Sequence, residues 1–316
     1  KKFSYIFDSR LNNFLSDKNK NILLKKSHEQ LEKIKKLKVL IVGDSIIDQY
    51  NTVKALNKPI KENIIATRYI DSNIYLGGVF AAATNLSQFN DDITVCTVLG
   101  NDKDIKKKVN DFSKNIKSKI FLERNKITTR KTRFIDAAYK RKISEVYNMD
   151  DNFLSGNNNS KILNYLNKNT KSFDVVILID YGHGFINNSM YKILKSKSKF
   201  LSINCQTNSA NHGFNFITKY KKSDYVCIDE PELRLATSNN HDEIEKIIKN
   251  KLLKKIKFKN ITITRGRDGC LSYSKSKSLI VPALISDKVI DTIGAGDVFL
   301  VLSSLLYSVK TDQLTS

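Results

Sequence analysis

Asp291-Thr292-Ile293-Gly294-Ala295-Gly296-Asp297-Val298-Phe299 sets a turn of small residues, with one carboxylate inside it, ahead of an apolar run from Val298 to Val309. A glycine-rich turn entering a helix leaves backbone N–H groups unpaired at the positive end of the helix dipole. Such a place stabilises a phosphoryl group that is gathering negative charge. Asp297 in the same turn can accept a proton from an attacking hydroxyl. A bare G-x-G-D equally suits a simple helix start, with Asp297 as a first-turn partner of the dipole.

Further candidates stand where apolar runs end. Lys38 to Gly43, Asp174 to Asp180, Asp224 to Ile228 and Asn260 to Thr264 read as buried strands. Ligands of parallel sheets collect beyond the carboxyl ends of the strands, and Asp44, Asp180, Asp229 and Arg265 all fall there. In Thr129-Arg130-Lys131-Thr132-Arg133, Lys131 and Arg133 share one strand face. Two cations on one face can clamp a substrate phosphate; they also suit a solvated edge kept charged against aggregation. His212, near Gln206-Thr207-Asn208-Ser209, is a candidate to face the cleft; the other reading, and the preferred one, is a loop whose side chains hydrogen-bond locally.

The elements that must carry these residues alternate. Asn12 to Lys36 has Leu15, Ile22, Leu23, Leu31 and Ile34 at roughly helical spacing, which predicts a helical extension over residues 1–37. Asn63 to Ile70 is β-like, Gly77-Gly78 opens a helix from Val79 to Gln88, and Ile93 to Leu99 is a strand. Lys126 to Tyr147 holds two runs of antiparallel type, exposed on one face. With the stretch around 60–75, the region 126–148 is predicted to form a small lid. Regular strand–helix alternation then follows, predicting an α/β fold with a doubly wound, mostly parallel sheet and helices on both faces. The Asn157 to Asn159 stretch reads as a flexible loop.

Composition narrows the function classes. A chain of 316 residues with 41% hydrophobic and 27% charged residues supports one large core, with room for a lid. No apolar run reaches the roughly 18–20 residues of a membrane span. Lys1-Lys2-Phe3 is not followed by an apolar block, so no secretory signal is expected, although the first residue is not Met. Cys96, Cys205, Cys227 and Cys270 form no C-x-x-C pair, and the four histidines are scattered. This argues against a zinc site or a disulfide framework and for a reducing cytoplasm. The formal charge of +22 invites a nucleic-acid reading. The basic residues do not interleave with aromatics as stacking surfaces require, so attraction of small phosphorylated anions is expected, with neither nucleic acid nor membrane as partner.

The nonapeptide 291–299 resembles the C-terminal signature D-T-x-G-A-G-D-x-F of the PfkB, or ribokinase-like, carbohydrate kinases. Other pieces follow in the family's order. Val42-Gly43-Asp44 with Asp48 resembles the first strand and its sugar-binding carboxylates, and Gly77-Gly78 the paired glycines at the substrate. Asp180-Tyr181-Gly182-His183-Gly184 is similar to the D-Y-[GA]-K-G element of the heptose-7-phosphate kinase branch. Asp229-Glu230-Pro231-Glu232 stands for N-x-x-E, and Thr264 to Gly269 for the T-x-G-x-x-G nucleotide loop. The resemblance covers about residues 38 to 309. It implies a kinase domain over 38–316, of three-layer ribokinase-like fold, that uses ATP and Mg2+ to phosphorylate a sugar or sugar phosphate. By the same resemblance Asp297 is the catalytic base and the backbone of Gly294, Ala295 and Gly296 the anion hole. Asp48, Gly77 and Gly78 hold the sugar, joined by Asp44, Asp180, Lys131 and Arg133 on the substrate side. Asp229, Thr264, Gly266 and Gly269 bind nucleotide, and Glu232 organises magnesium through water. Family lids often close a neighbour's site, which implies a homodimer. No G-x-x-x-x-G-K-[ST] loop is present, which disfavours a Walker-type enzyme.

Three departures bear on these expectations. Ala81 stands where the family has an Asn, Asp229 replaces the Asn of N-x-x-E, and His183 replaces a Lys. Family members also continue through helices beyond the signature. Either the sequence is part of a longer protein, one that can carry a nucleotidyltransferase domain, or its nucleotide site is incomplete. The rival to a kinase is a degenerate kinase fold that binds a sugar nucleotide or a protein partner without turnover.

Overall fold

The computed structural model describes residues 13–14, 20–56, 63–150, 152, 154–275, 277–283 and 294–309. Leu15 in the predicted N-terminal helix, the lid's start at 60–62, and Asp291-Thr292-Ile293 lie outside the described residues. Thirteen strands among the described residues form two sheets. They are β1 (Lys38–Gly43), β2 (Ser45–Ala55), β3 (Thr67–Gly78), β4 (Asp92–Leu99), β5 (Lys117–Leu122), β6 (Thr129–Asp136) and β7 (Lys142–Asn148). After these come β8 (Val175–Asp180), β9 (Leu201–Cys205), β10 (Tyr225–Asp229), β11 (Asn260–Thr264), β12 (Cys270–Ser274) and β13 (Lys277–Val281).

The larger sheet runs β13-β12-β11-β10-β9-β8-β1-β4-β5. All neighbours from β5 to β11 are parallel, while β12 and β13 close the far edge as an antiparallel hairpin. Helices Lys20–Lys35, Val79–Leu86 and Ala295–Ser308 cover one face through Ile34, Val79, Leu86, Leu300 and Leu305. Gly156–Asn169, Asn188–Lys197 and Glu230–Thr237 cover the other through Ile162, Leu166, Met190, Leu194 and Leu233. Burial on both faces explains why β1 and β8 are near-continuous aliphatic runs rather than alternating ones. The chain leaves β1 for β4 and β5 on one side, then continues from β8 on the other. The crevice beyond the ends of β1 and β8 is therefore the switch point where such sheets take ligands.

The smaller sheet, β3-β2-β6-β7, is the lid. Four passages of chain join it to the body, two for β6 and β7 and two adjoining ones for β2 and β3. β1 passes into β2 through Asp44 alone, and β3 returns to the Val79–Leu86 helix through Gly78. Gly78 has φ 59, and a Cβ there would meet the Asp44 carbonyl oxygen at 2.4 Å, so only glycine fits. Val79 N–H donates to that same oxygen at 3.2 Å.

Two expectations change. β2 was not anticipated, because Asp48 to Thr52 breaks the apolar alternation that marks a half-buried strand. Asn157 to Asn159 is not a loop but the first turn of a helix. Ser155 caps it by accepting from Asn158 N, and Asn158 Nδ2 donates to Leu122 O at 2.8 Å. Ile162 and Leu166 bury the next turns.

Candidate active site

Asp297 sits in the first turn of the Ala295–Ser308 helix, behind Gly294 with φ 79. Its Oδ1 accepts from the Tyr181 hydroxyl at 2.8 Å and from Gln206 Nε2 at 3.2 Å. Burial raises the Asp297 carboxyl to about 6. Among the described residues, a Cβ at Gly294 or Gly296 would meet nothing within 4 Å. Amides in a helix's first turn have no intrahelical acceptor, which leaves this turn able to hold an anion.

Two predicted substrate carboxylates have other work. Asp44 is 2% exposed and accepts from the backbone N–H groups of Tyr181 (2.9 Å) and Phe185 (3.2 Å). Burial and the nearby Asp180 push it up to about 7. Asp180, also 2% exposed, accepts from Gly182 N at 2.9 Å, from the Tyr220 hydroxyl and from Lys219 Nζ. Both sit at the expected strand ends, yet their oxygens hold the 181–185 loop and the segment around 219–220 rather than facing the cleft.

The lid carries the cations. Lys131 and Arg133 are each 8% exposed, which excludes a solvated edge. Arg133 is ion-paired to Asp48 at 2.5 Å and to Glu145 at 2.8 Å, and it lies over the Tyr50 ring. Lys131 Nζ lies 5.1 Å from the centre of the Tyr147 ring, and burial lowers its pKa. Gly77 pairs with Ile46 across the strands, and a Cβ there would strike Asp48 Oδ2 at 2.0 Å. Glycine at 77 is thus what lets the Asp48 carboxylate lie flat against β3.

On the other side of Asp297 a cavity of about 1370 Å³ brings Asp229, Glu232, Thr264, Gly266, Gly269 and Gly296 together. Gly269 has φ 80, and a Cβ there would meet Val281 O at 2.0 Å. Asp229 and Glu232 form a capping box at the start of the Glu230–Thr237 helix. Glu232 accepts from Asp229 N at 2.9 Å and from Thr207 N at 3.0 Å. Burial, and then the neighbouring Asp229, raise Glu232 to about 8. Among the described residues no cluster of three acidic, His or Cys side chains could cage an ion directly. Two crowded carboxylates, both raised by burial, fit a hydrated divalent cation, which would supply positive charge there.

The pfkB family carbohydrate kinase model matches residues 36–308. The chain belongs to this family of carbohydrate kinases. Among curated relatives, the bifunctional protein HldE of Pelobacter propionicus is 23% identical over 286 residues, covering 89% of this chain and 57% of that protein. HldE of Helicobacter hepaticus is 25% identical over 284 residues, covering 87% and 57%. The chain therefore spans 57% of the length of these two relatives. Phosphofructokinase-2 from Escherichia coli in complex with fructose-6-phosphate shares the fold at a TM-score of 0.64 and 12% identity, covering 87% of this chain and 88% of that one. Ribokinase from Thermotoga maritima does so at 0.62 and 19%, covering 87% of each chain. The architecture is ribokinase-like, and the family is one of phosphotransferases.

In this pfkB-family chain, reading the sequence missed Tyr181 and Gln206 at Asp297 and Thr207 at Glu232. Gln206, Thr207 and His212 line the cavity, as the cleft-facing reading of this segment has it, and local bonding does not describe the first two. Instead Gln206 and Thr207 reach residues 91 and 25 positions away. Tyr181 could have been picked out by its place after Asp180. Nothing in the spacing around Gln206 marks it. Among the described residues no helix is long and apolar enough to cross a membrane.

Proposed function

We propose that this chain transfers the γ-phosphate of ATP to a hydroxyl of a sugar phosphate, with Asp297 as the base. The observation that carries this reading is the position of Asp297. It stands at a glycine turn between the lid face bearing Lys131 and a nucleotide-sized cavity. The substrate O–H bond breaks and its proton goes to Asp297. The freed oxygen bonds to the γ-phosphorus, and the bond from that phosphorus to its bridging oxygen breaks, releasing ADP. Backbone amides of Gly294, Ala295 and Gly296 would stabilise the moving phosphoryl group. Thr264, Gly266 and Gly269 would line the nucleotide, and Asp48, Gly77 and Gly78 the sugar. A magnesium ion organised through water by Glu232, with Asp229 beside it, would supply positive charge at the triphosphate.

The acceptor's own phosphate is assigned to Lys131, whose ammonium has no carboxylate at ion-pair distance among the described residues, with Arg133 behind it. The formal net charge of +22 would draw such an anion in. A heptose phosphate is favoured on the likeness of Asp180 to Gly184 to the heptose-phosphate branch. Exposed Tyr69, Ile70 and Val146 on the lid strands support a homodimer, and four free, buried cysteines support a cytoplasmic setting. The test is ADP formation against a panel of free sugars and sugar phosphates. Turnover that depends on a sugar phosphate supports the reading. No acceptor-dependent ADP across the panel would overturn it in favour of a kinase fold that binds without turnover.

A further inference from the structure

The ends of β1 and β8 and the loop at 206–215 grip one pair of residues, Tyr181 and Gln206. Tyr181 is fixed on both sides of its peptide. Its N–H donates to Asp44 at 2.9 Å, and its carbonyl accepts from Asn208 Nδ2 (2.7 Å) and Asn211 Nδ2 (2.8 Å). Gln206 is held in the same way, with its N–H on Asp180 O at 2.9 Å and its carbonyl accepting from Asn215 Nδ2 at 2.9 Å. Asn211 and Asn215 are themselves buried. Two backbone positions gripped this firmly present two side-chain donors, and both donors land on the same oxygen of Asp297.

We propose that Tyr181 and Gln206 are positioning residues that pin Oδ1 of Asp297, so that Oδ2 takes the proton of the substrate hydroxyl. Among the described residues no donor reaches Oδ2. Burial and the adjacent Asp297 hold the Tyr181 hydroxyl well above its ordinary pKa. It stays a donor throughout the working range and cannot compete for the proton. Donation to the ionised form keeps the carboxylate ready as a base despite its burial. The charged groups facing Asp297 are Asp48 and Lys131 from the lid and Glu232 from the nucleotide side. These leave Tyr181 and Gln206 as its direct hydrogen-bonding partners among the described residues.

This inference rests on Asp297 as the base, so its test needs a readout apart from turnover. In the ligand-free protein with carbon-13-labelled aspartate, the Asp297 carboxyl is titrated by NMR in wild type, Tyr181→Phe and Gln206→Met. Both changes preserve shape and remove only the donor. Tyr181→Phe is expected to raise the carboxyl's pKa by about one unit, a tenfold gain in proton affinity, and Gln206→Met to raise it less. In the active enzyme the acid limb of kcat/KM moves to higher pH by the same amount, while KM for ATP holds. An unmoved titration in both variants overturns the proposal, whether or not the protein turns over. A shifted titration in a protein that consumes no ATP keeps the positioning role and sinks the kinase reading.

Discussion

The carboxylates at the centre of the main sheet and those at its nucleotide side stand at equivalent strand ends but live differently. Asp180 is enclosed by a tyrosine hydroxyl, an ammonium and a backbone amide, and Asp44 by backbone N–H groups. Asp229 and Glu232 cap a helix on the wall of a large cavity and crowd each other, with Glu232 raised to about 8. What separates them is place and not the number of partners: Asp180 and Asp44 spend their oxygens on fixing loops, whereas raised charge on a cavity wall invites a ligand. Asp297 lies between these regimes, with one oxygen held and the other without a donor among the described residues.

The largest effect that would break this comparison is at Asp297. Asp297→Asn keeps shape but removes the base, so kcat should fall by about 10²–10⁴-fold with KM for ATP nearly unchanged. Near-normal turnover in that variant would remove the distinction between held and reacting carboxylates. Next comes stability. Asp180→Ala leaves the Tyr220 hydroxyl, the Gly182 amide and Lys219 without their acceptor, and should destabilise by about 3 kcal/mol in urea unfolding. Asp229→Ala loses a cap and should lose only about 1 kcal/mol. Equal losses would show that the two sets of carboxylates are not built differently.

A third test concerns the lid. Replacing Lys131 and Arg133 together by Ala should raise KM for a sugar phosphate about tenfold more than for the parent sugar, since a charge-assisted contact of this kind is worth about that. Equal losses for both substrates would rule out a phosphate clamp.

The smallest effect is on the nucleotide side. Carboxylates raised above their unfolded values stabilise the folded state fully at low pH and lose that contribution as pH climbs. With Asp44 raised from 3.8 to about 7 and Glu232 from 4.5 to about 8, stability should fall between about pH 4 and 8 and level off above. In Glu232→Gln the fall in Tm should be smaller, and the magnesium midpoint for turnover should move a few-fold higher. Identical pH slopes would leave Glu232 without the strained charge assigned to it.

Much of this was legible in the sequence, for stated reasons. Two-sided burial makes β1, β8, β10 and β11 read as aliphatic runs, so their ends, and Asp44, Asp180, Asp229 and Arg265 upon them, could be placed by pattern alone. The lid strand β2 escaped because its cleft face is polar, with Asp48 and Tyr50 where a core strand would be apolar. The direction of the Asp44 and Asp180 carboxylates was invisible, since spacing places a residue at a strand end but not its oxygens. Gln206 was missed because its partner is 91 residues away and only the folded chain brings them together.

The joint at Asp44 and Gly78 has a mechanical meaning. β2 runs 11 residues from that joint, a span of about 35 Å at the usual rise of a strand. Taking the joint as a fulcrum makes the lid a long lever on a short base, and a tilt of about 10° would carry its tip roughly 6 Å over that length. The load arm is Asp44, whose side chain grips the amide of Tyr181. Small torque at the far end of the lid would thus be geared down to a fine displacement beside Asp297.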